Sequence, residues 1–308
     1  MTPERGVVLA PFTSLRVGGE AEFFAAARTG DDLAAALAWA HTRQVPARVI
    51  GGGSNLLIAD AGVDGLVVRA LMGRSETIER DGDTRVVADV GVTLANLARR
   101  LAKQGFSGLE WAANVPGTVG GAAVNNAGAF GGDAASCLIA VTVIDASGVE
   151  RRLSSADLQY GYRTSALKRR ELGEVAVERV EFRLQRGDAD GPAARVKEFN
   201  AQRMRTQPRI LSAGSVFANP DGTYAGKLID EAGLKGARVG CAEISEQHAN
   251  FIVNPGGARA ADVYALMRRA QDVVYERSGV WLRPEIELFG RWRPQDRRAL
   301  EAPRVVSG

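Results

Sequence analysis

The spacing of apolar residues predicts alternating helices and strands in the first half of the chain. Apolar positions at helical spacing predict a helix that Asp31 or Asp32 caps and that ends near His41. A second helix is predicted over 93–104, with Thr93 as its cap. Short apolar runs predict strands at 47–50, 65–69 and 85–92. This alternation indicates an α/β or α+β domain.

The second half continues the mixed pattern and contains a polar break. The alternation over 139–153 predicts a hairpin that turns at Ser147-Gly148, and 175–182 predicts a further strand. The polar stretch 185–192 is the predicted domain boundary. Beyond it, the pattern predicts helices at 196–205 and 261–277, a strand at 281–289 and a disordered tail from 291.

Composition places the chain among globular proteins and excludes several classes. Its 308 residues are 45% hydrophobic and 24% charged, which favours two or three domains. No apolar run reaches the roughly 18 residues that a spanning helix needs, and residues 1–6 do not resemble a secretion signal. We therefore expect a cytoplasmic protein without membrane insertion. Cys137 and Cys241 are isolated and only two histidines occur, so no disulfide framework and no metal site is predicted.

The net charge of +3 lies at the carboxyl end. Residues 291–308 contain five arginines against Asp296 and Glu301, and the two signs balance in the rest of the chain. A basic excess confined to one tail does not form a basic face, so no nucleic-acid partner is predicted. We expect removal of 293–308 to leave turnover unchanged.

Two glycine-rich loops are the clearest chemical signal among the 36 glycines. Gly51-Gly52-Gly53-Ser54-Asn55 follows a predicted strand, where such a turn can aim backbone N–H groups at a phosphate or can be an ordinary tight turn. The second loop, 114–129, has almost no bulk or charge. It suits backbone packed against a large flat ligand or a pyrophosphate, or a seam between closely packed helices. Together the loops predict a dinucleotide that is not held in Rossmann fashion.

Four further side chains are candidates for chemistry, each with a structural alternative. Arg163 could hold an anion or a developing oxyanion, or lie at the surface after a strand. Ser215 could be a nucleophile or proton donor, or a turn serine. Glu285, in an apolar run, could have a raised pKa or form a strand-edge salt bridge. His248 is a structural residue or a substrate contact.

In order along residues 10–290, the segments resemble the UDP-N-acetylenolpyruvoylglucosamine reductase (MurB) family. The matching segments are TSLRVGG at 13–19, GGGSNLL at 51–57, PGTVGG at 116–121, YRTS at 162–165, GSVF at 214–217 with NP at 219–220, AGKLID at 225–230, HANF at 248–251 and PEI at 284–286. Each segment alone is a weak signal, and the ordered set is specific. Ala218 departs from the family, which usually has Lys before Asn-Pro, and this weakens a phosphate contact there.

The resemblance implies an α+β fold like that of vanillyl-alcohol oxidase, of the family's shorter second type. Its implied division is an FAD-binding subdomain at 1–70, a second at 71–190, an α+β substrate-binding domain at 195–290 and the basic tail at 291–308. The family's activity is the NADPH-dependent reduction of the enolpyruvyl ether of UDP-N-acetylglucosamine to UDP-N-acetylmuramate, a step of peptidoglycan synthesis. The implied partners are FAD as bound cofactor, NADPH and this sugar nucleotide. The protein is expected to be a monomer.

Residue roles follow from the resemblance motif by motif. The implied catalytic residues are Arg163, Ser215 and Glu285. The implied FAD-binding residues are Val49, Gly51, Gly52, Gly53, Ser54, Asn55, Leu56, Pro116, Gly117, Thr118, Gly120 and Gly121. The implied substrate-binding residues are Tyr162, Asn219, Lys227 and His248.

The implied reaction has two half-reactions in one site. Hydride passes from NADPH to the flavin, and then to C3 of the enolpyruvyl group. Arg163 would stabilise the enolate-like charge, assisted by Glu285, and Ser215 would protonate C2. Two alternatives remain open: a related FAD oxidase, which would not need Ser215 and Glu285 together, and a sugar-nucleotide-binding protein without flavin.

Overall fold

The chain forms two compact units, seen here in a computed structural model that describes residues 1–187 and 190–302. The first unit comprises residues 1–5, 23–52 and 65–205, and the second comprises 6–22, 53–64 and the chain from 206 onward. The chain therefore passes between the units several times, and the first glycine loop contains one of these passages, after Gly52.

The helices and strands are short and interspersed. The helices are α1 (Gly30–Thr42), α2 (Leu94–Lys103), α3 (Val119–Asn125), α4 (Ala134–Cys137), α5 (Asp190–Thr206), α6 (Ala225–Glu231), α7 (Ala260–Ser278) and α8 (Pro294–Glu301). The strands are β1 (Glu4–Val8), β2 (Glu20–Ala27), β3 (Ala47–Ile50), β4 (Leu56–Ile58), β5 (Val63–Ala70), β6 (Ser75–Arg80), β7 (Asp83–Asp89), β8 (Phe106–Ser107), β9 (Gly128–Ala129), β10 (Gly132–Asp133), β11 (Leu138–Asp145), β12 (Glu150–Ser154), β13 (Val175–Arg186), β14 (Leu211–Ser215), β15 (Arg238–Val239), β16 (Ala242–Ile244), β17 (Phe251–Asn254) and β18 (Glu287–Phe289).

An antiparallel sheet ordered β12-β11-β13-β7-β6, with β8 against the end of β13, organises the first unit. Buried residues alternate along β13, where Val180, Phe182 and Leu184 enter the core. The apolar face of α2 packs into the same core through Leu97 and Leu101. Since period 2 and period 3.6 are both visible in the sequence, these elements were predictable.

Another sheet, ordered β1-β2-β5-β3, pairs β3 with β5 in parallel. Helix α1 connects β2 to β3, and its cap corrects the sequence prediction. Thr29 is the N-cap, and its hydroxyl accepts from Asp32 N at 3.1 Å while Asp32 accepts from Thr29 N at 3.1 Å. Asp31 and Asp32 lie inside the first turn because a Thr one residue before Gly30 can make this reciprocal pair of bonds.

The second unit contains the antiparallel sheet β14-β17-β16-β15 and the parallel pair β18-β4. The long helix α7 contributes Val263, Leu266 and Met267 to its core. At the start of α7, the carboxylate of Asp60 accepts the N–H groups of Ala260 and Ala261 at 2.8 and 2.9 Å. Strand β4 and its following loop therefore belong structurally with residues more than 200 positions later.

Most predicted elements are confirmed, and the differences have local causes. Helix α5 begins before residue 196, and the predicted strand 85–92 ends at Asp89. The predicted strand 281–289 is wrong except for β18, because Pro284 has no N–H to donate to a ladder. Pro284 instead forms an isolated antiparallel bridge with Phe217.

The C-terminal segment corrects the prediction of a disordered tail. Residues Pro294–Glu301 form α8, in which Leu300 is 3% exposed. Gln271, fully buried in α7, donates to the carbonyl of Leu300 at 2.9 Å, and Trp281 Nε1 donates to the same oxygen at 3.2 Å. The predicted disorder of 303–308 lies outside the described residues.

The predicted division into subdomains at 70, 190 and 195 remains a prediction, and the two compact units divide the chain elsewhere. Helix α5 belongs to the first unit because Arg195 Nε donates to the buried Glu110 at 3.0 Å. Phe199 also stacks on Phe130 with ring centroids 4.6 Å apart. The chain enters the second unit after Arg205, beyond the polar stretch of which residues 188–189 lie outside the described residues.

Among the helices described here, none is both long enough and apolar enough to cross a bilayer.

Candidate active site

Arg163 lies in a tight turn of the first unit that hydrogen bonds to the loop after α3. Gly161 and Thr164 exchange backbone hydrogen bonds at 3.1 and 3.2 Å, which places Arg163 at φ +58°. The turn is anchored on either side, since Tyr160 Oη donates to Ala123 O at 2.8 Å and Ser165 Oγ donates to Val124 O at 2.6 Å. Burial raises the pKa of Tyr160, so its hydroxyl keeps the proton that this bond requires.

The loop after α3 also orients the guanidinium of Arg163. Nη2 donates to Gly128 O at 2.7 Å and Nη1 donates to Asn126 O at 3.3 Å. Asn126, buried in the left-handed conformation at φ +45°, donates in turn to Gly161 O at 2.9 Å. The guanidinium is thus held by backbone carbonyls, which orient a positive charge at one place.

The two predicted glycine loops meet within the first unit. A Cβ on Gly51 would lie 2.2 Å from Thr118 Oγ1, and a Cβ on Gly52 would lie 3.0 Å from Gly117 Cα. A Cβ on Gly51 would require Thr118 to move, and a Cβ on Gly52 would require the second loop to shift by a few tenths of an ångström, so glycine is what lets the two loops approach this closely. The structure therefore brings together two loops that are distant in the chain and that the sequence predicted for one ligand.

Within the second loop, Gly120 and Gly121 have different surroundings. A Cβ on Gly120 would lie 2.0 Å from Val90 Cγ2, so this glycine satisfies the close-packing alternative. Its N–H donates to Val90 O at 3.0 Å, and the N–H of Gly121 is paired with Thr118 Oγ1 at 3.4 Å. At Gly121 the nearest atom to a new Cβ is 3.7 Å away, so space remains on that side.

We expect Gly120→Ala to lower the melting temperature of the FAD-free protein and Gly121→Ala to raise it slightly. Overpacking against Val90 costs about 1–3 kcal/mol, whereas alanine in an uncrowded helical position gains about 0.5–1 kcal/mol over glycine. Thermal unfolding of both variants checks the signs. If Gly121→Ala also weakens FAD binding while the FAD-free protein stays stable, Gly121 faces the cofactor. Equal destabilisation by both variants would contradict the distinction between a packed Gly120 and an open Gly121.

The rest of the first glycine loop lies in the second unit. Gly53 has φ +59°, and a Cβ there would lie 2.2 Å from Phe12 O, so packing requires glycine. Asn55 Nδ2 donates to Glu285 O at 3.0 Å, and Asn55 O accepts from Glu287 N at 2.9 Å. Asn55 thereby fixes the backbone on the carboxyl side of the predicted catalytic glutamate, and Val216 O holds its amide side. Val49 lies in β3, Leu56 begins β4, and Pro116 precedes Gly117.

Ser215 and Glu285 lie on neighbouring segments of the second unit. Ser215 ends β14 after Gly214, whose φ of +75° turns the strand. Val216 O accepts from Glu285 N at 2.8 Å, and Ala218 N donates to Arg283 O at 2.9 Å. Both candidate side chains are half-buried, and Glu285 lies outside the regular strand that the sequence predicted over 281–289. The cause is the irregular chain around Pro284, which leaves residue 285 outside a ladder.

The predicted substrate residues are spread over both units. Tyr162 is exposed in the first unit, with its ring 5.2 Å from the Arg163 guanidinium carbon. In the second unit, Asn219 Oδ1 accepts from Ala225 N at 3.2 Å at the start of α6. Lys227 on α6 is exposed and lies 3.8 Å from Glu231.

His248 has a defined tautomer. Its Nδ1 accepts from Asn250 N at 3.2 Å, which leaves the proton on Nε2. Burial lowers its pKa, so the ring is neutral at pH 7 and offers an Nε2–H donor. This geometry supports a polar contact to a ligand acceptor and not a charge contact.

We expect Gly226→Ala to raise the KM for the sugar nucleotide and to leave thermal stability nearly unchanged. The new Cβ would lie 3.1 Å from His248 Cε1, so the imidazole must move by a few tenths of an ångström. Steady-state kinetics at fixed NADPH checks the effect, with Gly73→Ala as the control for a change of glycine alone, because Gly73 has no left-handed φ and a new Cβ there would lie 3.9 Å from the nearest atom. An unchanged KM would contradict a contact between His248 and substrate.

Three asparagines position the candidates, a role that sequence reasoning did not give them. Asn126 holds the Arg163 turn, Asn55 holds the backbone that follows Glu285, and the side chain of the buried Asn250 binds the backbone two residues after Ser215. Asn55 was identified only as an FAD contact, and Asn250 only as part of a matching motif. Buried amides at loop ends are the signal that could have found them, but their partners are distant in sequence.

Comparison with known proteins gives a consistent likeness over both units. Residues 21–154 match the family described as FAD binding domain, and residues 206–289 match the UDP-N-acetylenolpyruvoylglucosamine reductase C-terminal domain. A Synechococcus sp. (strain RCC307) protein named UDP-N-acetylenolpyruvoylglucosamine reductase is 48% identical over 292 residues, covering 93% of each chain. A protein of the same name from Chloroflexus aurantiacus is 43% identical, covering 91% of this chain and 95% of its own.

A solved structure extends the likeness to three dimensions. The UDP-N-acetylenolpyruvylglucosamine reductase of Thermus caldophilus superposes with a TM-score of 0.79 at 38% identity, covering 94% of this chain and 99% of its own. These matches confirm the predicted fold class, an α+β protein with an FAD-binding region followed by a distinct C-terminal domain.

Proposed function

Because the chain belongs to the UDP-N-acetylenolpyruvoylglucosamine reductase (MurB) family, we propose that Arg163, Ser215 and Glu285 perform the second half of its reaction. The protein is an FAD-dependent oxidoreductase that reduces UDP-N-acetylenolpyruvoylglucosamine to UDP-N-acetylmuramate with NADPH, a step of peptidoglycan synthesis. The observation that carries the residue assignment is the backbone hydrogen bond from Glu285 N to Val216 O, which joins the segments of Ser215 and Glu285.

The glycine loops fit FAD. Gly51 and Gly52 pack on Thr118 and Gly117 so closely that a Cβ at either position would force its neighbour to move, which leaves a surface of backbone without charge or bulk. A pyrophosphate and a flat ring system need such close backbone approach. The residues proposed to hold FAD are those predicted from the sequence, Val49, 51–56, 116–118, Gly120 and Gly121, with Gly120 acting through its packing on Val90.

FAD supplies two-electron hydride transfer, from NADPH in the first half-reaction and to C3 of the enolpyruvyl group in the second. As C3 gains hydride, negative charge develops at C2 and in the adjoining carboxylate. The guanidinium of Arg163 is permanently charged and oriented by the carbonyls of Asn126 and Gly128, so it stabilises this charge without rearrangement.

Ser215 donates the proton to C2. A hydroxyl is a weak acid, so the basicity of the carbanion-like carbon drives this transfer. Glu285, held through Asn55 and Val216, binds the substrate carboxylate as the protonated acid or assists the hydroxyl. Tyr162, Asn219, Lys227 and His248 contact the sugar nucleotide, with the neutral His248 as an Nε2–H donor. The exposed Lys227 offers charge to the diphosphate.

Flavin colour tests the function most directly. Purified protein is expected to be yellow, to be bleached by NADPH and to regain colour anaerobically when the sugar nucleotide is added. Recovery only with oxygen would favour an FAD oxidase. Colourless protein that cannot be reconstituted with FAD would favour a binding protein.

Arg163→Ala and Glu285→Gln are expected to slow the second half-reaction far more than the first. Removing one electrostatic donor from a developing oxyanion costs about 10²–10³-fold in rate, whereas bleaching by NADPH does not need these groups. Anaerobic stopped-flow absorbance separates the steps, and Arg80→Ala, an exposed residue paired with Asp81, is the control arginine. Equal losses in both steps would contradict the roles.

We further propose that the protein works in the cytoplasm, where its family carries out this step of peptidoglycan synthesis, and that it is a monomer. Sedimentation of the purified protein tests the second point; a stable dimer would contradict it.

A further inference from the structure

Asn250 is a buried amide in the second unit, directly before β17, and it is 3% exposed. Its side chain makes two hydrogen bonds to one residue, Phe217: Oδ1 accepts from Phe217 N at 2.9 Å, and Nδ2 donates to Phe217 O at 2.8 Å. An amide is the side chain that can satisfy a backbone N–H and a backbone C=O of the same residue at once.

The backbone of Asn250 is equally engaged. Its carbonyl accepts from Val216 N at 2.8 Å, and its N–H donates to His248 Nδ1 at 3.2 Å. One residue therefore fixes the two positions that come after Ser215 and also sets the tautomer of His248. The proposed reaction steps do not involve Asn250 directly.

The segment 216–218 is held from both sides. Asn250 holds one side, and the chain 283–285 holds the other through Glu285 N to Val216 O and Ala218 N to Arg283 O. Ser215 lies at the end of this clamped segment, after the left-handed Gly214, which has no Cβ to restrict it. Ser215 ends β14, where it pairs with Phe251 of β17, so the end of the strand and the clamp that begins at the next residue together fix the backbone that carries the hydroxyl.

We propose that Asn250 is a positioning residue that sets the direction of the Ser215 hydroxyl for proton delivery. This inference rests on the proposed role of Ser215. Proton transfer to carbon needs the donor within close reach of the acceptor, and a displacement of about 1 Å can cost about 100-fold in rate. Asn250 makes no contact with the reacting atoms in this proposal and acts through Val216 and Phe217.

The chain provides a matched control four residues after Asn250, in strand β17. Asn254, at the end of β17, is also 3% exposed and also fully hydrogen bonded, with Nδ2 donating to Leu15 O at 2.8 Å and Oδ1 accepting from Gly256 N and Ala258 N. Asn254→Ala removes a buried amide of the same kind, but it leaves the 216–218 segment untouched.

The test compares the two half-reactions by anaerobic stopped flow in Asn250→Ala and Asn254→Ala holoenzyme. We expect the ratio of the second rate constant to the first to fall about 100-fold in Asn250→Ala and to stay near the parent value in Asn254→Ala. The solvent deuterium isotope effect on the second step should rise only in Asn250→Ala, since proton delivery becomes limiting. Thermal unfolding of both FAD-free variants measures the stability loss separately. Where Asn250→Ala does not fold, Asn250→Asp keeps the acceptor for Phe217 N and removes the donor to Phe217 O.

Two results overturn the inference. One is an unchanged ratio in the Asn250 variant while Ser215→Ala abolishes the second step. The other is a Ser215→Ala/Asn250→Ala double variant that is slower in this step than Ser215→Ala alone, because a residue acting through Ser215 adds no loss once the hydroxyl is gone. If Ser215→Ala itself keeps a normal second step, the proposed function fails first, and this inference falls with it for that recognisable reason.

Discussion

Ser215→Ala is expected to give an enzyme that NADPH still bleaches but that forms UDP-N-acetylmuramate about 10²–10⁴ times more slowly, the range over which a positioned general acid contributes. The structure supports different effects on the two half-reactions, because the residues directly after Ser215 are hydrogen bonded to Glu285 and Asn250, which are proposed to act in the second half-reaction only. The variant should fold normally, since a half-buried hydroxyl is replaced by a smaller side chain.

Ser212→Ala is the control for this experiment. Ser212 lies on the same strand, β14, opposite Val253 and three residues before Ser215, and it is also half-buried. Rapid mixing with NADPH and then with the sugar nucleotide measures both steps in each variant. A Ser215→Ala enzyme that completes both steps at the parent rate would refute proton donation by this hydroxyl.

Removal of residues 293–308 is expected to destabilise the protein on the order of 5 kcal/mol, through the loss of one buried leucine and of acceptors for buried donors. Without α8, Gln271 and Trp281 lose the carbonyl of Leu300, and Arg268 loses that of Ala299. Leu300 itself, 3% exposed, leaves the apolar core of the second unit. The expectation from sequence that such a truncation leaves turnover unchanged concerns a different quantity and stays a prediction.

A shorter truncation isolates the contribution of α8 from that of the residues beyond it. Removal of 303–308 retains α8 and all the hydrogen bonds named above, so its melting temperature and turnover should match those of the full chain. Urea unfolding and steady-state turnover of both truncations measure the effect. A 293–308 truncation with parental stability would show that α8 contributes little.

The charge pattern shows why this segment was misjudged. Its arginines suggested a solvated tail, yet Arg291 pairs with Asp64 at 2.5 Å, Arg293 pairs with Asp296 at 2.8 Å, and Arg297 donates to carbonyls of Leu288 and Gly290. Within α8 the two signs balance, so the excess positive charge comes from Arg291 and Arg293, which precede the helix, and from position 304 beyond it. Charge counts do not reveal such docking, because the partners lie up to 227 positions away in sequence.

The candidate residues and loops could be named from the sequence wherever a local motif or composition indicates a chemical role. Arg163, Ser215 and Glu285 were identified from their motifs, and the glycine loops from their lack of bulk. Their geometry was not predictable, since the φ of +58° at Arg163 and the carbonyls that orient it come from a turn packed on a loop 35 residues earlier. Glu285 was expected inside a regular strand, but Pro284 interrupts the ladder.

Local sequence determined where α1, α2, α7 and the central strands form. A helix with one buried face repeats its apolar residues with a period of 3.6, and a strand with one buried face repeats them with a period of 2. Tertiary structure decided why glycine is required at three positions of the two loops. Gly120 makes room for Val90, and Gly51 and Gly52 let two distant loops meet. It also decided that the polar, arginine-rich end folds back as α8 and that Asn250 clamps the segment of Ser215. These outcomes depend on contacts between residues far apart in the chain, which no local period records.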